Sequence, residues 1–380
     1  MRMATLWSLL SNWPQSRARK SFAVAQRLIA DAQRTGAVAL DLSVDFRIGL
    51  THLQRVPNEI SGLTGLRELV MTHAPLSDIS RLSALSSLTL LNIRSTNVAN
   101  ISPISDLHRL KSLNLASTKV RDLGALSALT DLEWLGIDGN DISDLTPLQD
   151  LARLKYLGLR IKSLTSVAPL ARLTAIKHID LGHSGVRDLA PLAGMKEMEN
   201  LTLNDSPVTD LAPLSGMTSL GELDLARTGV SNLSALANLK SLHGLNLRET
   251  PVSDLRVLGN LRRLRHLSLA RTRGIDLGPL ANNNALHTLD ISNTENMRIE
   301  ALSHMTWLSD AAKTDGHGEL GGLIAYDSEL MSREPFATFE KIGGRVTTVE
   351  TINYLRRQQG LGRYEPADYV PPAGIAMQNL

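Results

Sequence analysis

The chain of 380 residues contains no cysteine, few aromatic residues and no long hydrophobic run. The absence of cysteine excludes disulfide-bonded caps, thiolate metal sites and every enzyme with a cysteine nucleophile. Since no stretch of about eighteen apolar residues occurs, no membrane span is predicted. The N-terminus also lacks the sustained apolar stretch and the cleavage site of a secretory signal. The net charge of +2 gives little reason to expect a nucleic-acid or membrane-surface binder.

The aromatic residues number four Trp, five Tyr and four Phe, although 43% of the chain is hydrophobic. That hydrophobic fraction is enough for a folded protein and excludes a wholly disordered chain. Because so few rings are available, the core has to be packed mainly from Leu, Ile, Val and Ala.

An internal repeat of 22 residues runs through the middle of the chain without insertion or deletion. Each copy follows the pattern L-x-x-L-x-L-x-x-T-x-V-x-D-L-x-P-L-x-x-L-x-x, whose first residue is position 1. The copies open at Leu66, Leu88, Leu110, Leu132, Leu154, Ile176, Met198, Leu220, Leu242, Leu264 and Leu286. This pattern is that of a leucine-rich repeat. The D-L-x-P-L segment at this spacing resembles the internalin-like and phosphatase-regulator-like subclass.

The sequence pattern of one repeat predicts its local structure. Positions 3 to 7 alternate between outward and inward residues, which is typical of a short strand with Leu at positions 4 and 6 in the core. Stacked copies then form a parallel sheet. We therefore predict an α/β fold: a right-handed leucine-rich-repeat solenoid with a parallel concave sheet of about twelve strands. Short helical turns lie on the convex side, and an N-terminal cap helix closes the first open end.

Polar side chains at two positions of the repeat are predicted to form hydrogen bonds with backbone groups. Position 9 needs a short polar side chain where the strand turns, and Asp or Asn at position 13 is suited to cap the next turn. The repeat that opens at Leu154 departs from both rules, because Lys162 stands at position 9 and Ser166 at position 13.

Three regions are predicted along the chain: an N-terminal cap helix at 1–36, the solenoid at 37–308, and a C-terminal cap, basic helix and tail at 309–380. The basic helix is expected at 347–359, and the first, irregular repeat carries seven extra residues around 44–50. The segments AQRLIADAQRTGAVALDLS and TTVETINYLRRQQG resemble the flanks of cysteine-free cytoplasmic repeat proteins of rhizobial and related bacteria. That resemblance implies a bacterial intracellular repeat protein and no particular activity.

A cluster of unusual residues occupies the outward strand positions of adjacent repeats. Between residues 66 and 300 the aromatic residues Trp134 and Tyr156 both stand at position 3, and His178 continues the line. The site that we predict on this basis comprises Trp134, Tyr156, His178, Asp138, Arg160, Gly136 and Gly158. The two glycines at position 5 are expected to leave room for an incoming side chain, and the two charges at position 7 to orient a polar partner. Because aromatic and Arg residues dominate interfaces, we interpret the cluster as a partner-binding site.

Other interpretations of these residues stay open. The exposed rings can simply support each other across strands. A second patch holds Arg227, Arg248, Arg265, Arg271, His243, His266 and His287, but acidic residues lie among them, so a solvated surface of mixed charge is favoured. No metal site is predicted, because no third ligand recurs at ligand spacing.

The sequence favours a non-enzymatic function. It contains no Gly-rich phosphate loop, no G-x-S-x-G and no H-E-x-x-H motif, and it lacks the catalytic cysteine of bacterial repeat proteins that act as ubiquitin ligases. We expect a cytoplasmic, monomeric interaction module that uses no cofactor and binds a protein partner, not a nucleic acid or a membrane, on its concave face. The alternative is an effector or adhesion-type protein that a dedicated secretion system exports to act on a host protein.

Overall fold

The computed structural model describes residues 3–48, 50–310, 322–324 and 348–364. The chain divides into two compact units, Met1–Val186 and Arg187–Leu380. The helices are α1 (Met3–Thr35), α2 (Trp307–Asp310) and α3 (Thr348–Gln358). The strands of the first unit are β1 (Ala39–Asp41), β2 (Glu68–Val70), β3 (Leu90–Asn92), β4 (Ser112–Asn114), β5 (Trp134–Gly136), β6 (Tyr156–Gly158) and β7 (His178–Asp180). Those of the second are β8 (Asn200–Thr202), β9 (Glu222–Asp224), β10 (Gly244–Asn246), β11 (His266–Ser268), β12 (Thr288–Asp290) and β13 (Gly322–Ile324).

Within each unit the strands pair in parallel with their neighbours in chain order, in a register that matches equal positions of the repeat. The strand β13 extends this pairing beyond residue 308, with Leu323 opposite Leu289. A short 3-10 turn follows each strand up to β12, and within each unit these turns contact those of adjacent repeats. The prediction of a leucine-rich-repeat solenoid with a parallel sheet, short helical turns and an N-terminal helix is confirmed. The proposed boundaries at 36 and 308 stay predictions.

The core is built almost wholly from aliphatic side chains at positions 1, 4, 6, 11, 14, 17 and 20. Leu91, Leu113, Leu135 and Leu157, for example, are fully buried at position 4. Position 9 is also buried except at Lys162, and its hydroxyl commonly donates to the carbonyl three residues earlier, as from Thr96 to Ile93 at 2.8 Å. These hydrogen bonds confirm the role predicted for position 9.

Position 13 holds the start of each 3-10 turn. The Asp or Asn there accepts a hydrogen bond from the backbone N–H two residues later, as Asp122 does from Gly124 at 2.8 Å. Ser166 performs the same task with a longer bond of 3.3 Å to the N–H of Ala168. The substitution at this position therefore weakens the cap without removing it.

Both chain ends of the repeat region are covered by helices. Ser21 of α1 is buried, and its hydroxyl accepts the N–H groups of Thr51 and His52 at 3.0 and 2.9 Å. At the other end, α3 lies close to residues 300–304: Arg356 donates to the carbonyl of Ser303 at 3.1 Å. The helix predicted at 347–359 is thus confirmed, and its arginine binds backbone groups. The predicted tail after 364 lies outside the described residues. No helix in the described part of the chain is both long and apolar enough to cross a membrane.

Candidate functional site

The outward strand face of the first unit carries the three predicted ring residues in one row. The parallel register places Trp134 of β5 opposite Tyr156 of β6, and Tyr156 opposite His178 of β7. All three side chains are partly exposed, whereas the leucines next to them are buried. The period of two along each strand produces this alternation, so the row follows directly from the repeat register.

The rings form a ladder, a name used below for Trp134, Tyr156 and His178. The Trp134 and Tyr156 rings are stacked, with centroids 4.9 Å apart and planes 4° from parallel. The His178 ring is tilted by 37° at 6.3 Å from Tyr156. A stacked aromatic pair contributes about 0.5–1.5 kcal/mol beyond the area that it buries. The cross-strand support considered from the sequence is therefore real, and it holds the rings in fixed orientations.

The two glycines do not leave the open space that the sequence suggested. A Cβ on Gly136 would lie 2.7 Å from Cη2 of Trp134, so the indole of the same strand already covers this position. A Cβ on Gly158 would lie 2.5 Å from a carboxylate oxygen of Asp138. The expectation of room for an incoming side chain is wrong. The glycines instead allow Trp134 and Asp138 to lie close to the backbone.

The Asp138 carboxylate contacts the backbone of Arg160, while the Arg160 side chain lies near a different acid. Asp138 Oδ1 accepts a hydrogen bond from the backbone N–H of Arg160 at 2.9 Å. The guanidinium Nε of Arg160 lies 3.9 Å from Oδ2 of Asp180. Elsewhere, position 5 supplies the acceptor for the N–H of position 7, as Asn114 does for Ala116. Because Gly158 has no side chain, Asp138 of the preceding repeat accepts the hydrogen bond of the N–H at position 7 instead.

Asp180 is a site residue that the sequence reasoning missed. It stands at position 5 of β7, in register with Gly158, and its Oδ1 accepts the N–H of Gly182 at 2.9 Å. Burial raises the pKa of this carboxyl above its ordinary value, and Arg160 opposes that change. Burial, together with Asp138 and Asp180, likewise raises the pKa of Tyr156, so its hydroxyl stays protonated at neutral pH. The return of an acid at position 5 after two glycines is the signal that could have revealed Asp180.

The backbone turn after β6 differs from its counterparts. In every other regular repeat position 8 has a positive φ, as in Ser117 at 56° and Gly139 at 73°. Ile161 stands at this position without a positive φ, is 1% exposed, and donates its N–H to the carbonyl of Leu159 at 2.7 Å. A β-branched residue strongly disfavours the left-handed region. Ile161 therefore turns inward, and Lys162 at position 9 is exposed.

The second patch considered from the sequence is a surface of mixed charge. Arg227 binds Asp205 through two guanidinium nitrogens. Arg248 and Arg271 both bind Oε1 of Glu249, at 3.3 and 3.1 Å. The rings of His266 and His287 meet edge to face at 5.8 Å. Across the described residues no group of three or more His, Asp or Glu side chains is arranged to hold a metal ion.

The second unit also contains a groove that sequence reasoning did not identify. It has a volume of about 890 Å³ and lies across β8 to β12, with Gly244 and Leu245 among its lining residues. Gly244 is the glycine found at position 3, where other repeats carry side chains such as Leu90 or Trp134. The missing side chain on the outward face is the signal that could have pointed to the groove.

Comparison with known proteins agrees with the fold. The structure is similar to an internalin (inlF) from Listeria monocytogenes, with a TM-score of 0.62 and 24% sequence identity over 78% of this chain and 93% of that one. It is also similar to a TDR receptor, with a TM-score of 0.57 and 19% identity over 79% of this chain and 57% of that one. No protein-family model matches the chain, and no curated protein matches it in sequence. The likeness to these solved structures shows the leucine-rich-repeat fold.

Proposed function

We propose that the chain is a non-enzymatic interaction module that binds a protein partner over the ladder on the outward strand face of the first unit. The observation that carries this proposal is the stacked Trp134–Tyr156 pair, with ring centroids 4.9 Å apart. Large aromatic side chains supply much of the binding energy at protein interfaces. Small polar residues such as Ser112 and Asn200 fill the same position in other repeats. The fold therefore does not need rings there.

The stacking prepares the ladder for association. A side chain that is immobilised on binding costs roughly 0.5–1.5 kcal/mol of conformational entropy. Trp134 and Tyr156 already restrict each other in the free protein, because their planes lie within 4° of parallel. The part of each ring that remains exposed can be covered by a partner with little further ordering.

Polar groups next to the ladder would set the orientation of the partner. The Tyr156 hydroxyl is both a donor and an acceptor, and its raised pKa keeps the proton in place. Arg160 is exposed and lies 3.9 Å from Asp180. An aromatic centre with a polar margin is the usual anatomy of a protein interface.

A cytoplasmic location belongs to the same proposal. It rests on the resemblance of the segments AQRLIADAQRTGAVALDLS and TTVETINYLRRQQG to the flanks of cytoplasmic repeat proteins of rhizobial and related bacteria. Fractionation of the producing cells tests it. Recovery of the protein from the medium would instead favour the exported effector or adhesion-type alternative.

Partner capture from extracts of the producing cells tests the site. Trp134→Ser with Tyr156→Ser introduces the residue that β4 carries at this position in Ser112, so the fold is expected to persist. Affinity for the captured partner should fall at least about tenfold, because truncating central aromatic anchors costs about 2 kcal/mol or more. Arg265→Ala with Arg271→Ala is the matched control and should leave capture unchanged. The reverse pattern would exclude the ladder as the binding site.

A direct optical test does not depend on the extract. The chain has four tryptophans, so replacing Trp7, Trp13 and Trp307 with Phe leaves Trp134 as the single indole. Its emission should shift when the purified partner binds, since the ring passes from partial exposure to full burial. An unchanged spectrum at saturating partner would place the interface elsewhere. Unfolding of the double Ser variant, seen by circular dichroism, would show that cross-strand support is the role of the rings.

A further inference from the structure

The groove in the second unit, which lies across β8 to β12, offers carboxylates on β9 and on β12. Glu222 and Asp224 lie on β9, and Asp290 lies on β12. Between them the floor is formed by uncharged groups, including Gly244, Asn246 and Ser268 on β10 and β11. Carboxylates on two strands, separated by a floor of uncharged groups, form an elongated site with a defined distance between the negative charges.

Three arginines beside the groove have acid partners: Arg227 binds Asp205, and Arg248 and Arg271 bind Glu249. Asp224 and Asp290 accept their hydrogen bonds from neutral donors, and the charge of Arg227 also acts on Asp224. Asp224 accepts the N–H of Ala226 at 2.9 Å, while Asp290 accepts the N–H of Ser292 at 3.0 Å and the Ser268 hydroxyl at 3.1 Å.

The cost of ionising Asp224 favours a cationic occupant beside it. Burial raises the pKa of Asp224, so its negative charge is incompletely solvated in the free protein. A lysine or arginine head group brought within about 4 Å would supply the missing stabilisation. His243 lies 3.6 Å from Glu222 at the margin, and His266 contacts the Thr288 hydroxyl at 3.3 Å.

The spacing of the acids defines the peptide that fits. The strands β9 and β12 are three steps apart in the sheet, which corresponds to roughly 14 Å between the two ends. An extended chain advances roughly 3.4 Å per residue, so two side chains about four residues apart span this distance. Gly244 widens the groove beside this path: it is in register with Glu222 and His266, whereas Asn246 and Ser268 lie in register between Asp224 and Asp290.

We propose that this groove binds an extended segment of a protein partner that carries two basic residues four positions apart, one head group at Asp224 and the other at Asp290. The site lies wholly in the second unit and does not depend on the ladder. A variant of one site therefore leaves the other intact, and the two proposals fail separately.

A labelled peptide with the sequence acetyl-Gly-Lys-Ser-Gly-Ser-Lys-Gly-amide tests the proposal with the full chain. We expect saturable binding, measured by fluorescence anisotropy, that weakens as salt is raised because the attraction is ionic. A peptide of equal composition with adjacent lysines should bind several-fold more weakly, and one with glutamate in place of lysine should not bind. Equal binding of the two lysine peptides would overturn the proposed spacing.

Two variants locate the binding. Asp224→Asn with Asp290→Asn should lower the affinity about tenfold. Asn246 shows that Asn at position 5 keeps the hydrogen bond to the backbone, here to the N–H of Arg248. The matched control, Asp188→Asn with Asp210→Asn, removes the same charge at position 13, where Asn232 is tolerated. Equal weakening by both pairs, or the absence of saturable binding to the parent chain, would overturn the proposal.

A steric variant provides a second, charge-neutral test. Gly244→Leu introduces the residue found at the same position in Leu90, and its Cβ would meet the flexible Glu222 side chain at 3.3 Å. We expect the peptide to lose most of its affinity while the variant keeps its circular dichroism spectrum. Unchanged peptide affinity in a folded Gly244→Leu protein would show that the peptide does not cross the groove floor.

Discussion

The repeats that open at Leu154 and Leu220 have the same length, but they satisfy their backbone hydrogen-bonding groups with different residues. In the second, Asp224 at position 5 and Thr228 at position 9 bind backbone groups, with Thr228 donating to the Leu225 carbonyl at 2.7 Å. In the first, position 5 is Gly158 and position 9 is the exposed Lys162. A carboxylate from the adjacent repeat and a buried isoleucine replace the missing polar groups.

This comparison shows which parts of the repeat are interchangeable. The N–H at position 7 needs an acceptor, but the acceptor can come from the preceding repeat, as Asp138 demonstrates. The interior beside position 9 needs to be filled, but an aliphatic side chain can fill it. Position 5 of the Leu154 repeat thereby needs no polar side chain, and Gly158 lies against the Asp138 carboxylate next to Tyr156.

The largest effect that separates the two repeats is expected from Ile161→Ala. Ile161 is 1% exposed and fills the interior beside position 9, so its truncation leaves a cavity. Large-to-small substitutions of this kind cost about 2–5 kcal/mol. Urea denaturation measures the loss. Lys162→Thr serves as the control and should change stability by less than about 0.5 kcal/mol, because the side chain is exposed. A larger effect at Lys162 would show that the lysine supports the turn.

A smaller loss is expected from Thr228→Val in the regular repeat. The Leu225 carbonyl accepts both the Thr228 hydroxyl at 2.7 Å and the Thr228 N–H at 3.1 Å, so one bond survives the substitution. Removal of the other should cost about 0.5–1.5 kcal/mol. Thr228→Ser keeps the hydroxyl and should retain most of the bond's contribution in the same denaturation assay. Equal losses in the two variants would show that the Thr228 methyl group contributes as much as its hydroxyl.

The smallest effect is expected from Asp180→Asn, and it depends on pH. Burial raises the pKa of Asp180 above 3.8 in the folded chain, so ionisation at neutral pH disfavours the folded state. Asn should therefore stabilise the protein at pH 7, and the gain should vanish as the pH falls below the unfolded value near 3.8. Denaturation midpoints at about pH 7 and about pH 3 measure this. A loss of stability at pH 7 would mean that the contact with Arg160 outweighs desolvation.

The regularity of the repeat explains how much of the fold and of the candidate site could be predicted from the sequence. The strands, the inward leucines and the row of Trp134, Tyr156 and His178 follow from a repeat without insertions, because equal positions align in the sheet. The contacts of Gly136 and Gly158 did not follow. Which neighbour covers a bare backbone depends on side-chain rotamers, and no period in the sequence specifies them. The groove was missed for a related reason, since it is a property of several strands together.

The positive φ at position 8 has a consequence for protein engineering. Residues such as His73, Ser95, Arg227 and Glu249 hold a left-handed backbone in which non-glycine side chains cost roughly 1–2 kcal/mol each. Asn tolerates this conformation better and already stands there as Asn293. The gain is expected where this residue has no ion pair with the neighbouring repeat, because Arg227 binds Asp205 and Arg271 binds Glu249 at the same position. Substitution by Asn at such sites should therefore raise the melting temperature stepwise, one repeat at a time.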